Sequence, residues 1–269
     1  MTQDGTEPTS EPKTRAEWVR LWSDAETKLE RRAIRRRLPA ASIESMDCTF
    51  IAHPVDNYTE FRLWITGNPP EHVAMQALCD ALAGRGPVIV DVGANAGVFF
   101  IPIHVAGGPG TRSIVFEPNP TMLTRLRTNV DLNGLEPAVQ IFECAISDHS
   151  GRSDMHFPRN ANLGQGRIDV PYPHKRVPDS FEVPVRPLRE CLAEAGVTKI
   201  DLLKVDVEGL EDRVIFPMLE ADDHLLPRMI YFETAHDRVW FYPLEEKLAQ
   251  CGYRLVEQYD ANALFERVA

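Results

Sequence analysis

An apolar strand that runs directly into a glycine turn constrains the fold of this chain more than any other feature. Residues 88–90 are Val-Ile-Val, and residues 91–97, Asp-Val-Gly-Ala-Asn-Ala-Gly, follow without a break before an apolar run resumes. A strand, a tight turn and a helix start in this order are typical of the edge where an α/β sheet receives a nucleotide-like ligand. Asn95 stands where a dinucleotide-binding loop needs its second glycine. The turn therefore argues against a bound pyrophosphate.

A second strand ends in an acid at the distance expected for a ribose ligand. Residues 114–116 are Ile-Val-Phe, and Glu117 follows them, twenty residues after Gly97. A carboxylate in this position can accept hydrogen bonds from both ribose hydroxyls. The order of strand, turn, helix, strand and acid predicts a nucleoside site; the alternative is a plain βαβ unit with a tight connection.

Charges interrupt a later stretch that otherwise has the pattern of a buried strand. Within residues 200–211, the residues Lys204, Asp206 and Glu208 alternate at period two and should therefore face one side of a strand. Buried charges are costly unless they are paired or used in function. A Lys–Asp pair that fixes the sheet edge is one interpretation; a functional site at the carboxyl end of a parallel strand is the favoured one.

Composition excludes several classes of function. The formal net charge is −11 and the isoelectric point is near 5.2, which makes the chain a poor nucleic-acid binder. No apolar stretch approaches the ~20 residues that span a bilayer, and the N-terminus lacks a leader pattern, so we expect a cytoplasmic protein with no membrane partner. Five scattered cysteines without a C-x-x-C pair favour reduced thiols over a zinc site.

The chain is expected to divide into three parts. We predict a disordered tail at 1–13, an appendage of helix, hairpin and helix at 14–85, and the main domain at 86–269. A capping box at Thr14 opens the first helix, whose tryptophans should dock on the core or on a second copy in a homodimer. The arginine-rich end of this helix, residues 31–37, is either an anion or partner surface or a solvated helix end.

Finer expectations concern the elements around the main sheet. Two β-rich runs within 49–65 suggest the hairpin, and an amphipathic helix should cover 71–83. Residues 139–142 and 229–232 are predicted strands, and a polar helix is expected to run to Gln250. The proline- and glycine-bearing stretch 159–180 should form a long irregular loop, either a lid over the substrate or a mobile insertion.

Four short motifs together resemble the FkbM family of S-adenosylmethionine-dependent methyltransferases. They are residues 91–97, Phe-Glu-Pro-Asn at 116–119, Ala-Ile-Ser-Asp at 145–148, and Lys-Val-Asp-Val-Glu-Gly-Leu-Glu at 204–211. The resemblance covers roughly residues 50 to 269. The chain departs from it at residues 188–190, which are Leu-Arg-Glu where family members often carry Leu-Asp, and this hints at a divergent substrate.

This resemblance implies an α/β fold of the Rossmann-like class I methyltransferase type: a mostly parallel seven-stranded sheet with helices on both faces, plus the N-terminal helix and hairpin. It also implies S-adenosylmethionine as cofactor and O-methylation of a small molecule such as a sugar or natural-product intermediate. Amides after Gly93 would suit the cofactor's carboxylate. The expected cofactor-binding residues are Asp91, Gly93, Ala94, Asn95, Gly97, Glu117, Pro118, Ala145, Asp148 and Asp206.

Catalysis would require a group that accepts the proton of the attacking hydroxyl. The candidates are Asp206, Glu208, Glu233 and His236. A less favoured alternative is a magnesium site made by Asp206, Glu208 and Glu233, which would bind and acidify the hydroxyl. A second alternative is a non-catalytic module that binds S-adenosylmethionine and serves as an interaction partner.

Overall fold

The strands in the described part of the chain form three sheets. The computed structural model describes residues 11–158, 162–169, 180–220, 225–235, 238 and 240–268. The strands are β1 (Ala41–Ser45), β2 (Cys48–Ala52), β3 (Val88–Val92), β4 (Arg112–Phe116), β5 (Val139–Phe142), β6 (Ala145–Ile146), β7 (Gly151–Met155), β8 (Phe181–Arg186), β9 (Leu202–Val205), β10 (Met229–Glu233), β11 (Tyr253–Tyr259) and β12 (Asn262–Arg267).

The main sheet has seven strands in the spatial order β11-β12-β10-β9-β3-β4-β5. The five strands from β10 to β5 are parallel, while β12 pairs antiparallel with both β10 and β11. The mostly parallel seven-stranded sheet is thus confirmed. The carboxyl ends of β3, β4, β9 and β10 meet at one edge, where open α/β sheets bind ligands.

Helices cover both faces of this sheet. They are α1 (Arg15–Asp24), α2 (Lys28–Arg35), α3 (Tyr58–Thr66), α4 (His72–Leu82), α5 (Phe100–Gly107), α6 (Pro120–Leu132), α7 (Leu188–Glu194), α8 (Glu211–Leu219) and α9 (Leu244–Gln250). Alternate strand residues enter two separate cores: Ile89 packs with α4 and α5, whereas Val90 packs with α7 and α8. No helix in the described residues has the length and apolar character needed to cross a bilayer.

The N-terminal helix begins where the sequence predicts, but it is not one helix. Thr14 and Glu17 form the predicted capping box, and α1 ends at Asp24. Thr27 and Glu30 then form a second capping box that starts α2. The expectation of one helix from Thr14 to the arginines at 31–37 is therefore wrong, because the second cap offers the backbone a new helix start. The expected tail, residues 1–13, lies outside the described residues except for its last three.

The predicted hairpin is displaced toward the N-terminus. Strands β1 and β2 pair antiparallel before residue 53, and the run expected as a second β segment within 49–65 is the helix α3. Asn57 caps that helix by accepting a hydrogen bond from Glu60 N at 3.1 Å. The apolar residues that follow, Phe61 and Trp64, are buried at helical spacing. The helix predicted over 71–83 is confirmed as α4.

The segment before residue 86 shares a core with the main sheet. Trp18, Phe50 and Trp64 belong to the same buried cluster as Phe100 and Tyr231. The division of the chain at residue 86 stays a prediction. Trp18 is 4% exposed within its own chain, so its burial requires no second subunit, and a homodimer through this helix also stays a prediction.

The arginines at the end of α2 are largely used inside the molecule. Arg31 lies over the ring of Trp22, Arg35 over Phe61 and Arg37 over Trp18. Such cation–π contacts favour docking of the helix on the body of the protein over a free anion-binding surface.

Two later expectations need correction. The strand with three alternating charges ends at Val205, so Asp206 and Glu208 follow β9 rather than belonging to it. The polar helix expected to run to Gln250 is only the short α9. Of the long loop at 159–180, the structure describes residues 162–169 and 180.

Candidate active site

The glycine turn after β3 packs directly on the end of β9. Gly93 has a φ of +82°, and a Cβ atom placed on it would lie 2.0 Å from the carbonyl oxygen of Asp206. A side chain at this position is excluded both by the left-handed backbone and by the contact. Gly97 (φ +81°) is also crowded, because its Cβ would lie 2.8 Å from Ile101 Cδ1. The two glycines therefore serve close packing, one against the neighbouring strand and one against α5.

The amides of this turn are satisfied by the protein itself. Five successive N–H groups donate to internal acceptors: Gly93 and Ala94 to Phe116 O (both 3.0 Å), Asn95 to Glu117 Oε2 (2.8 Å), Ala96 to Asn95 Oδ1 (2.8 Å) and Gly97 to Ala94 O (2.8 Å). Helix α5 begins only at Phe100. In this conformation the amides of residues 93–97 all donate within the protein, and an amide site for the cofactor's carboxylate stays a prediction.

Glu117 connects the glycine turn to the end of β4. Its Oε2 accepts from Asn95 N and its Oε1 from Asn119 N, both at 2.8 Å. Burial raises the pKa of Glu117 to about 7 despite these hydrogen bonds. Each carboxyl oxygen can accept more than one hydrogen bond. The group therefore retains acceptor capacity toward a pair of hydroxyls.

A cavity opens between this turn and the carboxyl edge of the sheet. The predicted cofactor-binding residues that line it are Gly93, Asn95, Glu117, Pro118, Ala145 and Asp206. The side that faces them comes from β7 and the segment after it, with Met155, Leu163, Gly164, Gly166, Arg167 and Ile168.

Four predicted cofactor residues lie outside this lining. Asp91 is buried beneath Lys204, and Ala94 and Gly97 face the protein interior. Asp148 accepts from Tyr242 Oη at 3.1 Å and contacts His149 Nδ1 at 3.0 Å. The structure therefore brings together only part of the predicted cofactor set.

Lys204 joins the ends of β3 and β9. Its ammonium donates to Gly93 O at 2.9 Å and lies 3.3 Å from Asp91 Oδ1 and 3.5 Å from Asp206 Oδ2. Burial alone would lower the pKa of Lys204, but the two carboxylates outweigh it and hold that pKa above its ordinary value. Asp91 Oδ2 is buried, and no described residue donates a hydrogen bond to it. The Lys–Asp pair that the sequence suggested as a structural feature is present, and Lys204 also holds the glycine turn through Gly93 O.

Glu208 reaches the cavity because the chain turns sharply after β9. It adopts a φ of +58°, which breaks the period-two alternation expected from the sequence. Glu211 Oε1 accepts from both Val207 N and Gly209 N at 3.1 Å and so fixes this turn. Burial, reinforced by Asp206 and Glu233, raises the pKa of Glu208 to about 9. This environment therefore favours the protonated form of the Glu208 carboxyl group.

Two further acidic side chains, Glu233 and Glu71, lie beside this turn, and Glu71 comes from the start of α4. Glu233 ends β10, and burial together with Asp206 raises its pKa to about 8. Glu71, at the start of α4, accepts from Tyr231 Oη at 2.8 Å and has a pKa raised to about 7, mainly by burial. Tyr231 is aligned with Lys204 across β10 and β9. His236 lies outside the described residues.

Sequence analysis missed Glu71, Glu211 and Arg167 as members of this site. Glu211 belonged to a recognised motif, and Arg167 lines the cavity, but Glu71 carried only the signal of a helix start after two prolines. In the described part of the chain, no three His, Cys, Asp or Glu side chains converge closely enough to hold a metal ion. Asp206, Glu208 and Glu233 thus interact electrostatically without forming a ligand set.

Comparison with known proteins agrees with these observations. The chain is 32% identical over 162 residues to 31-O-demethyl-FK506 methyltransferase FkbM of Streptomyces tacrolimicus, which covers 51% of this chain and 61% of that protein. It is 34% identical over 144 residues to the 2-O-methyltransferase NoeI of Sinorhizobium fredii, covering 48% and 56%. In both cases the match spans less than two thirds of the relative.

A solved structure and a family domain also match. The methyltransferase FkbM from Methylobacillus flagellatus superposes with a TM-score of 0.45 at 15% identity, covering 80% of this chain and 62% of that one. The Methyltransferase FkbM domain matches residues 91–255, which include the glycine turn, Glu117 and the turn after β9. Because this domain accounts for more than half of the chain, the protein belongs to the FkbM methyltransferase family.

Proposed function

We propose that the protein is an S-adenosylmethionine-dependent methyltransferase that methylates a hydroxyl group of a small molecule. The observation that carries this proposal is the juxtaposition, around one cavity, of the Glu117 carboxylate on one side and the Asp206–Glu208 turn on the other. A nucleoside with a cationic end fits these two walls. Membership in the FkbM family supports the same reaction class.

The residues present fit S-adenosylmethionine, which when bound supplies a methyl group on a positively charged sulfur. Glu117 offers acceptor capacity to the ribose hydroxyls. Ala145, at the end of the next strand, lines the part of the cavity proposed for adenine. The Asp206 carboxylate provides negative potential that suits the cationic end.

The chain must also orient the acceptor and remove its proton. As the acceptor oxygen bonds to the methyl carbon, the carbon–sulfur bond breaks, its electron pair stays on sulfur and the hydroxyl proton passes to a base. Asp206, Glu208 and Glu233 surround the place proposed for this transfer. Because a cation lowers the pKa of a neighbouring carboxyl group, a bound sulfonium would favour the ionised, proton-accepting form of Glu208.

The nature of the acceptor is inferred from the relatives and from charge. FkbM and NoeI are both named as O-methyltransferases, which favours a hydroxyl acceptor. An acidic cavity edge and a net charge of −11 disfavour polyphosphate and nucleic-acid substrates. We therefore propose a neutral, small hydroxylated acceptor in a cytoplasmic setting.

Turnover by the purified protein tests this proposal. The protein is incubated with S-adenosylmethionine and a panel of sugars and hydroxylated natural products, and mass spectrometry detects the gain of one methyl group. Cofactor-dependent methylation is expected, and the Glu208→Gln variant serves as the matched control. Cofactor binding with no transfer to any hydroxyl in the panel would instead support the non-catalytic binding module.

A further inference from the structure

We infer that Asn57 is a positioning residue for the glycine turn at residues 93–97, which is called the cofactor turn from here on. Asn57 belongs to a part of the chain that precedes the family domain. The functional consequence rests on the proposed function, because it assumes that the cavity beside Asn95 receives S-adenosylmethionine. The family domain begins at residue 91. Asn57 lies 38 positions before Asn95, and none of the motifs that identify the family includes it.

The side chain of Asn57 performs two tasks at once. It is completely buried. Its Oδ1 accepts from Glu60 N at 3.1 Å and caps α3, while its Nδ2 donates to Asn95 Oδ1 at 2.7 Å. The same Nδ2 lies 3.2 Å from Met122 Sδ. Capping alone requires only an oxygen, so the contact with Asn95 is an additional use of the amide.

Asn95, in the cavity wall, has a backbone conformation that benefits from such support. Its φ is +53°, in the left-handed region that non-glycine residues seldom adopt. In this conformation its backbone N–H reaches Glu117 Oε2, and its Oδ1 accepts from Ala96 N. The hydrogen bond from Asn57 therefore holds the oxygen around which the turn closes, next to the carboxylate proposed to bind ribose.

The loop that carries Asn57 is itself anchored by two arginines. Arg35 donates through Nε to Pro54 O at 2.8 Å and through Nη2 to Asn57 O at 3.1 Å. Arg125 pairs with Asp56 at 2.8 Å. One member of the arginine-rich end of α2 thus has a specific use: it fixes the backbone from which Asn57 reaches the cofactor turn.

The same loop also holds the segment that covers the cavity. Leu163 N donates to Asp56 O at 2.8 Å, and Tyr58 N donates to Asn162 Oδ1 at 3.0 Å. A Cβ on Gly164 would lie 2.8 Å from Asn95 Nδ2. The cofactor turn, the segment 162–164 beside the cavity and the loop that carries Asn57 are therefore in mutual contact.

An isosteric change separates the two tasks of Asn57. Asn57→Asp keeps the capping oxygen but replaces the donor with a second oxygen that faces Asn95 Oδ1. Asn57→Ser keeps a capping hydroxyl that is too short to reach Asn95, and it serves as a second variant if the aspartate fails to fold. Asn133→Asp is the matched control, because Asn133 Nδ2 donates to Thr49 O and Asn129 O and Asn133 is absent from the cavity lining.

Two measurements are made on the full chain: calorimetric binding of S-adenosylmethionine, and hydrogen exchange of amides 93–97 without ligand. Both Asn57 variants should weaken binding about tenfold and exchange these amides faster, whereas Asn133→Asp should change neither. Wild-type affinity together with wild-type amide protection in the variants would overturn the inference and leave the proposed function intact. Failure of the wild-type protein to bind S-adenosylmethionine would overturn the proposed function, while the exchange measurement would still decide whether Asn57 holds the turn.

Discussion

The two sides of the candidate site are built in different ways. The cofactor side is formed by residues that directly follow parallel strands, with Gly93 after β3, Glu117 after β4 and Asp206 after β9. The acidic side near the proposed acceptor includes Glu233 at the end of β10 and Glu71, which accepts from Tyr231 Oη and comes from a helix that precedes the family domain. The proposed cofactor side therefore depends mainly on a geometry that recurs at neighbouring strand ends, supported by Asn57 from before the family domain, whereas the proposed acceptor side depends on residues that lie far apart along the chain.

The largest effect is expected from Gly93→Ala, which attacks the cofactor side at its tightest contact. The added Cβ would meet the Asp206 carbonyl at 2.0 Å, so the turn or the end of β9 must move. We expect a loss of stability of about 3 kcal/mol and loss of cofactor binding. Denaturant unfolding and calorimetry measure both.

Gly134→Ala is the control for backbone strain alone. Gly134 also has a positive φ, of +65°, but no atom lies within 4 Å of its added Cβ. It should cost about 1–2 kcal/mol and leave cofactor affinity unchanged. Equal effects of the two alanines would show that close packing of the turn on β9 is unimportant.

The next prediction concerns how the stability of the folded protein depends on pH through carboxyl groups on both sides of the site. Folding raises the pKa of Glu117 and Glu71 to about 7, of Glu233 to about 8 and of Glu208 to about 9, from an ordinary value of 4.5. The folded state thus holds protons that the unfolded state releases. This contribution to stability is fully present below about pH 4.5 and is lost as the pH rises through about 9.

Melting temperatures measured between about pH 6 and 9 should therefore fall as the pH rises, and Glu208→Gln should flatten the slope. Glu182→Gln is the control, because Glu182 is exposed and pairs only with Arg152 in the described contacts. A slope in Glu208→Gln identical to that of the wild type would contradict the raised pKa of Glu208.

Glu208→Gln should separate cofactor binding from methyl transfer. The change keeps the shape of the side chain and removes its ability to ionise, so kcat should fall by about 100-fold while cofactor affinity stays within about twofold. Adding EDTA distinguishes the mechanisms, since loss of turnover restored by magnesium would establish a metal route. Methylation at the wild-type rate would remove Glu208 from catalysis and leave Glu233 and His236 as the next candidates.

The smallest effect is expected from Glu71→Gln, which tests the acceptor side directly. We expect kcat/KM for the acceptor to fall about tenfold with no change in cofactor affinity. Tyr231→Phe is the matched variant, because it removes only the hydrogen bond to Glu71. A change in cofactor affinity without a change in acceptor kinetics would place Glu71 on the cofactor side and break the comparison.

The success of prediction from sequence follows the same division. Strand β3, the glycine turn and Glu117 lie within thirty residues, and their order along the chain reflects their order in the sheet. Their positions were therefore predictable. The amides of the turn were not, because their acceptors include side chains such as Glu117 and Asn95 whose rotamers depend on the packed structure.

Other errors arise where a local signal was overridden or ambiguous. Residues 58–65 carry β-branched and aromatic side chains that also suit a helix, and Asn57 as a cap decides between the two structures. The period-two pattern after Lys204 assumed a strand that continues, whereas Glu211 turns the backbone at residues 207–209. Glu71 was missed because its partner, Tyr231, lies 160 residues away.

Calorimetry with S-adenosylmethionine and NADH tests the central claim, that the cavity beside Gly93 and Glu117 is a cofactor site of the methyltransferase type. The wild-type protein should bind S-adenosylmethionine and not NADH, and Glu117→Ala should lose about 1.5–3 kcal/mol of binding free energy. Micromolar binding of NADH without binding of S-adenosylmethionine would contradict the account, as would an unchanged affinity in the Glu117→Ala variant.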